Sequence, residues 1–183
     1  MITVDLAGFT ELQEDLKKLL VELENPAFNR KRAEEFRKYT QSEVATGGLG
    51  MSSISAGTAK IHKGDHPAEF NTGHLIKNMR TRTIKKSGEA GYFEGSRKYP
   101  GKTKKTITEI AILQHIGYRI PLQGEKGQRV RGFYAKEHGI HISPEKQFIE
   151  VEPRPFLFLG ADKYEAEGHD DIVIHDYINR ILF

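Results

Sequence analysis

The chain begins with an alternation of apolar Ile2, Val4 and Leu6 against Thr3, Asp5 and Ala7, the period of a half-buried strand, which predicts a short strand over residues 1–7. A helical period replaces it. Leu12, Leu16, Leu19, Leu20 and Leu23 fall on one stripe, charged residues occupy the rest of the cylinder, and Thr10 with Gln13 has capping-box spacing. Asn25-Pro26 closes this helix and opens a second, because Asn suits the N-cap and Pro the first helical position. The second helix is expected to run to about Ala45, with Phe28, Ala33, Phe36 and Val44 on its apolar side and Tyr39 or Thr40 at the margin. Together the two predict an antiparallel helical hairpin.

Gly47, Gly48 and Gly50 end that pattern, and residues 47–73 are rich in Gly, Ser, His and Thr without a period, which predicts a long loop. Apolar character resumes at Leu75, Ile76 and Met79. A hairpin is expected over residues 80–95, turning at Lys85-Lys86-Ser87-Gly88. After a basic linker from Arg97 to Lys105, Thr106 and Glu109 repeat the capping-box spacing ahead of Ile110, Ala111, Ile112, Leu113 and Ile116, predicting a short buried helix ended by Gly117. Residues 118–147 read as an insertion, with a helical turn over Phe133–His138, followed by a strand over Phe148–Val151. Pro153 and Pro155 predict an extended segment into Phe156–Gly160, and a final helix starts near His169 or Asp170. No internal repeat is present. The pattern describes one α+β domain over residues 1–183, in which a small antiparallel sheet packs against an N-terminal helical pair and a C-terminal helix.

Composition sharpens this picture chiefly by exclusion. The 183 residues contain no cysteine, which removes disulfides, thiolate metal sites and cysteine nucleophiles. No run of about 18 apolar residues suggests a membrane span, and the N-terminus lacks the basic head and apolar stretch of a secretory signal. Synthesis in a cytoplasm with no membrane partner is expected. His62 and His66 are four apart, but Gly64, Asp65 and Pro67 disfavour the helix that would bring them together. Gly139 interrupts His138 and His141, and neither pair carries the spacing of a zinc protease. The Gly47–Gly50 run follows a helix and lacks the Lys-Ser/Thr ending of a phosphate loop. No Gly-x-Ser-x-Gly elbow occurs, and Asp170-Asp171 reads as helix N-terminal charge. The sequence therefore predicts neither an enzyme nor a cofactor or metal.

Charge is distributed unevenly although the net is only +3. Residues 77–105 hold ten basic side chains against two acidic ones, whereas residues 150–183 hold three basic against eight acidic. Tyr92, Phe93 and Tyr99 interleave with the basic set. One reading is a nucleic-acid-binding accessory protein using residues 77–105, since stacking aromatics and cations together suit a phosphate backbone. The other is head-to-tail association, the basic hairpin of one subunit meeting the acidic region of the next. A merely solvated hairpin is the plain alternative. The candidate contact residues are Arg80, Arg82, Lys85, Lys86, Tyr92, Phe93, Arg97 and Lys98.

Four separated segments carry a resemblance. Thr72-Gly73-His74-Leu75 within Asn71–Met79 is similar to a Thr-Gly-x-Leu followed by a strand, and Ala111-Ile112-Leu113-Gln114-His115-Ile116-Gly117 to a helix end containing His and Gly. Arg154-Pro155-Phe156-Leu157, then Gly160, Asp162 and a C-terminal helix, complete the set behind two N-terminal helices. In this order they resemble the virion-morphogenesis or tail-completion proteins of Mu-like tailed bacteriophages. The loop at 47–73 and the insertion at 118–147 depart from that pattern. The resemblance implies a non-enzymatic structural protein of the virion neck or tail end, a tail-terminator subunit forming a hexameric or dodecameric ring. Its implied partners are connector or portal-side neck proteins and tail tube or sheath proteins, with DNA passing through the lumen. Arg154 and Phe156 join the candidate contacts, set against a fold role in which Phe156 fills the core and Arg154 pairs with an acid.

Overall fold

A computed structural model describes residues 6–51, 74–98 and 104–182. The described chain is α+β, with α1 (Leu6–Leu23), α2 (Pro26–Thr46), α3 (His74–Lys77), β1 (Arg80–Ile84), β2 (Ser87–Gly91), α4 (Ile107–Ile116), β3 (Tyr118–Pro121), α5 (Gly124–His138), β4 (Phe148–Val151), α6 (Phe156–Ala166) and α7 (His169–Leu182). The strands form two antiparallel pairs, β1 with β2 and β3 with β4. None of these helices is long and apolar enough to cross a membrane.

The second helix is the spine. Asn25 caps it through its side chain, which accepts from the Ala27 amide at 2.9 Å, and Pro26 supplies the first turn. It buries Phe28, Ala33, Thr40 and Val44, and its closest neighbours are β2, β1 and α6. Both approaches depend on missing side chains. A Cβ on Gly88 of β2 would sit 1.9 Å from the Asn29 carbonyl oxygen, and one on Gly160 of α6 would sit 2.7 Å from Thr40 Oγ1. Backbone therefore meets α2 directly at its N-terminal end, and α6 crosses it closely in its C-terminal half.

Among the described residues two small apolar clusters form, the first of them on this spine. Val44, Leu49, Ile76 and Phe156 make the first, and Leu75, Ile107 and Ala111 the second. Tyr92 packs against both, lies edge-on to Phe156 and donates its hydroxyl to the Leu75 carbonyl at 2.8 Å. α7 covers the other end of the spine, stacking Tyr177 on Phe28 with ring centres 4.0 Å apart.

Several sequence expectations change. Residues 1–5 of the expected first strand lie outside the described residues, while Leu6 and Ala7 belong to α1, so Thr10 sits a turn inside that helix rather than capping it. The helical hairpin is not closed by the leucine stripe. Leu12, Leu16 and Leu20 are exposed, because α2 gives its surface to the β1–β2 hairpin and to α6, leaving half-buried Leu19 and Leu23 to reach the spine end. In the expected loop at 47–73, residues 52–73 lie outside the described residues, but Leu49 is a core residue.

The 80–95 hairpin is shorter than expected, turning through Lys85 and Lys86 alone with Ile84 opposite Ser87, and Tyr92 and Phe93 lie beyond it. The capping box of α4 is present, yet only Ile107 and Ala111 are buried while Ile112 and Ile116 are exposed, so that helix has one covered face. The insertion contains a full helix, α5, whose Arg131 donates to the carbonyls of Ile142 at 3.0 Å and Pro144 at 3.1 Å and ties the return segment down. Phe156–Gly160 is helical rather than extended, because Pro155 stands immediately before α6, where a missing N–H costs nothing. β4 and α7 lie where the sequence places a strand and the last helix.

Gly160→Ala is expected to destabilise the fold by about 1–3 kcal/mol through overpacking against Thr40. Combining it with Thr40→Ala restores part of that loss, so a double-mutant cycle by chemical denaturation reads a coupling between the two positions. Strict additivity contradicts the close helix crossing.

Candidate assembly surface

The hairpin lies on α2 with Thr81 facing the helix, where its hydroxyl donates to Glu34 at 3.2 Å, and Arg80, Arg82 and Ile84 alternate onto the other face. The structure gathers Arg80, Tyr92, Phe93 and Arg97 round one recess of about 60 Å³, together with Asn78, Ser96 and Ile107. Its rim is held by the Arg97 carbonyl, which accepts from the Ile107 amide at 2.9 Å, and by a bridge between Lys98 and Thr106. Thr108 joins Phe93 and Ser96 to α4 through hydroxyl bonds of 2.7 and 2.8 Å. Arg80, Arg97 and Lys98 thus stand on a buttressed edge.

Not every expected cation is free for a partner. Arg82 donates to Glu89 at 2.8 Å across the strand pair and lies 4.1 Å from the centre of the Phe93 ring. Lys86 pairs with Glu24, and its carbonyl accepts from Asn29 Nδ2 at 2.8 Å, so it fastens the turn to the spine. Among the described residues Arg80, Lys85, Arg97 and Lys98 are exposed and enter no ion pair. Tyr92 is committed to the two core clusters. Phe156 is fully buried, so its place among the candidate contacts is corrected to a core role. The Arg154 amide donates to the Gln114 carbonyl at 2.7 Å, which ties the approach to α6 to the end of α4.

The acidic side is built by α6 and α7. Lys163 pairs with Glu43 and, at 3.7 Å, with Glu167. Glu167 accepts from the Tyr39 hydroxyl at 2.7 Å and meets His169 at 3.0 Å, and the Tyr39 bond, then His169 and Lys163, hold its carboxyl below the ordinary range. Arg32 grips both oxygens of Asp170, which raises the guanidinium further. Asp162, Glu165, Asp171 and Asp176 remain exposed and enter no ion pair among the described residues. Free anions on α6–α7 thus face solvent on one part of the molecule and free cations on the hairpin on another.

Between these two regions lies a cleft of about 530 Å³ that the sequence reading missed. Its floor is α2, through Arg32, Ala33 and Phe36, with Gly88 and Ala90 of β2 on one wall and Ala161, Glu165 and Asp171 on the other. Tyr164 lines it as well. That side chain is 8% exposed, packs edge-on to Phe36 and Tyr39, and its hydroxyl has no hydrogen-bond partner among the described residues. Burial, then the neighbouring Asp170 and Glu35 carboxylates, push its ionisation upward, so it stays a neutral phenol. The alternation of β2 placed Gly88 and Ala90 on one face, but only the tertiary arrangement brings them beside Tyr164.

Among the described residues no three His, Asp or Glu side chains converge as metal ligands do. Comparisons with protein-family models, curated proteins and solved structures find no match to this chain.

Two outcomes are expected from this geometry. Lys85 turns the hairpin at φ 53°, a conformation that glycine adopts without the Cβ penalty, so Lys85→Gly should raise stability by up to about 1 kcal/mol in a denaturant titration. A loss would contradict strain at the turn. Glu34, held below its ordinary value of 4.5 first by its bond to Arg37, adds stability that is complete above 4.5 and disappears as pH falls through the lowered native value. Thermal melts of Glu34→Gln should therefore lie below wild type near neutrality and converge with it in acid; a constant gap would contradict the pairing.

Proposed function

We propose that this chain is a structural virion protein of a tailed phage, a ring-forming neck or tail-completion subunit at the head-to-tail junction. The observation that carries the reading is the amount of apolar surface the subunit leaves uncovered. Leu12, Leu16 and Leu20 on α1, Ile112 and Ile116 on α4, Phe133 on α5, Phe158 on α6 and Ile172 on α7 are each more than half exposed, while twelve apolar side chains are buried among the described residues. Large apolar side chains spread over so many helices suit a subunit whose neighbours complete its burial.

The charge arrangement supports the same reading. Free cations on the hairpin and free anions on α6–α7 complement each other between copies rather than within one, the requirement of a head-to-tail contact that closes into a ring. The order of motifs resembling tail-completion proteins adds the place in the virion. Those motif residues, Leu75, Ala111, Phe156 and Gly160, are buried, so they serve the subunit's own fold. Connector-side and tail-side proteins would then meet the two rims of the ring, and DNA its lumen. Nucleic-acid binding through base stacking is less well served, because Tyr92 is packed into the core and Phe93 already carries Arg82.

The test is electron microscopy of particles from the parent phage with a stop codon in this gene. Filled heads unjoined from loose or overlong tails are the expected result, and normally joined particles would reject the role.

A further inference from the structure

The two edges of the hairpin are chemically matched to each other, and this suggests how one subunit grips the next. With Ile84 opposite Ser87 across a two-residue turn, the hydrogen-bonded pairs of the ladder are Ile84–Ser87, Arg82–Glu89 and Arg80–Gly91. The intervening pairs, Thr83–Gly88 and Thr81–Ala90, point their N–H and C=O groups away from the partner strand. The outer edge of β1 is therefore formed by Thr81 and Thr83, and that of β2 by Gly88 and Ala90. Neither edge pairs with another described strand. A two-stranded sheet whose edges meet no other described strand is an incomplete unit, and a strand edge is a template for a further strand.

The two edges differ in their surroundings. The β2 edge forms a wall of the cleft, whose opposite wall carries the free carboxylates Glu165 and Asp171 and whose lining includes Tyr164, a residue more than nine-tenths buried. The β1 edge is flanked by the free cations Arg80 and Lys85. Cleft and strand are thus complementary in backbone hydrogen bonding and in charge.

We propose that the cleft between β2 and α6 receives the β1 edge of a second copy of this chain, extending the sheet from one subunit into the next. The pairing rests on the ring reading above and gives it a mechanism: each subunit offers one donor edge and one receiving edge, a heterologous contact that closes when the rotation per subunit divides a full turn. Such a chain of strands leaves no free edge once the ring is complete.

Proline tests the edges one at a time, because at Ala90 or Thr83 it removes an N–H that the hairpin itself does not use. Light scattering after gel filtration would be measured on wild type, Ala90→Pro, Thr83→Pro and an equimolar mixture of the two variants, with far-ultraviolet circular dichroism as the check on folding. The expected result is an oligomeric wild type, two monomeric variants and a dimer in the mixture, since each variant keeps the edge the other lacks. Variants that still assemble like wild type would overturn the strand pairing while leaving the ring reading intact, and a wild type that stays monomeric would overturn both. Where proline prevents folding, the exposed Glu165→Lys/Asp171→Lys pair substitutes for it. That variant should fail to assemble alone and recover when mixed with Arg80→Glu/Lys85→Glu; unaltered assembly of the lysine variant, or no recovery on mixing, overturns the pairing.

Discussion

The β1–β2 hairpin and α6 are both placed by the close approach of their backbones to α2. A helix ordinarily keeps its neighbours about 8–10 Å away by the thickness of side chains. Here Gly88 and Gly160 remove that thickness at two points, one for the hairpin and one for α6. The spine can then bury Phe28, Ala33, Thr40 and Val44 although the helix as a whole is rich in charge. Its remaining charges work sideways, with Arg32 holding α7 through Asp170 and Glu43 holding α6 through Lys163.

The same arrangement explains why so much apolar surface is left over. Once α2 has received the hairpin, α6 and the end of α7, it has little room for α1, whose leucine ridge faces outward instead. α4 likewise covers one side with Leu75 and Tyr92 and leaves Ile112 and Ile116 on the other. Burying one such side chain contributes about 1.5–3 kcal/mol relative to leaving it in water, which is large beside the net stability of a typical domain. A chain built this way gains most from neighbours that cover several faces at once, as the proposed ring would.

Local signals in the sequence were good guides where a single residue type settles a boundary. Asn25-Pro26 marks the start of α2, Thr106 and Glu109 the start of α4, and Asp170-Asp171 the first turn of α7, because the two caps and the acidic pair act within one turn of chain. α5 was legible only in its last turns, since Gly124, Gly127 and Gly132 dilute the helical period and its apolar residues are few. α6 was hidden by Pro153 and Pro155, which favour extended chain as readily as a helix start. Of the candidate contacts, the cations were legible as charge, but which of them are free was not: Arg82 and Lys86 are neutralised by acids seven and 62 residues away. The cleft had no local signature at all, because its walls come from residues 29–36, 88–90 and 161–171.

Covering the exposed faces in the way proposed requires a closed assembly of identical subunits. Sedimentation velocity of the purified chain over a wide concentration range tests it most directly. One fast species of fixed stoichiometry that survives dilution is expected, as for a closed ring. A monomer at every concentration, or a ladder of ever larger species without a preferred size, would contradict it.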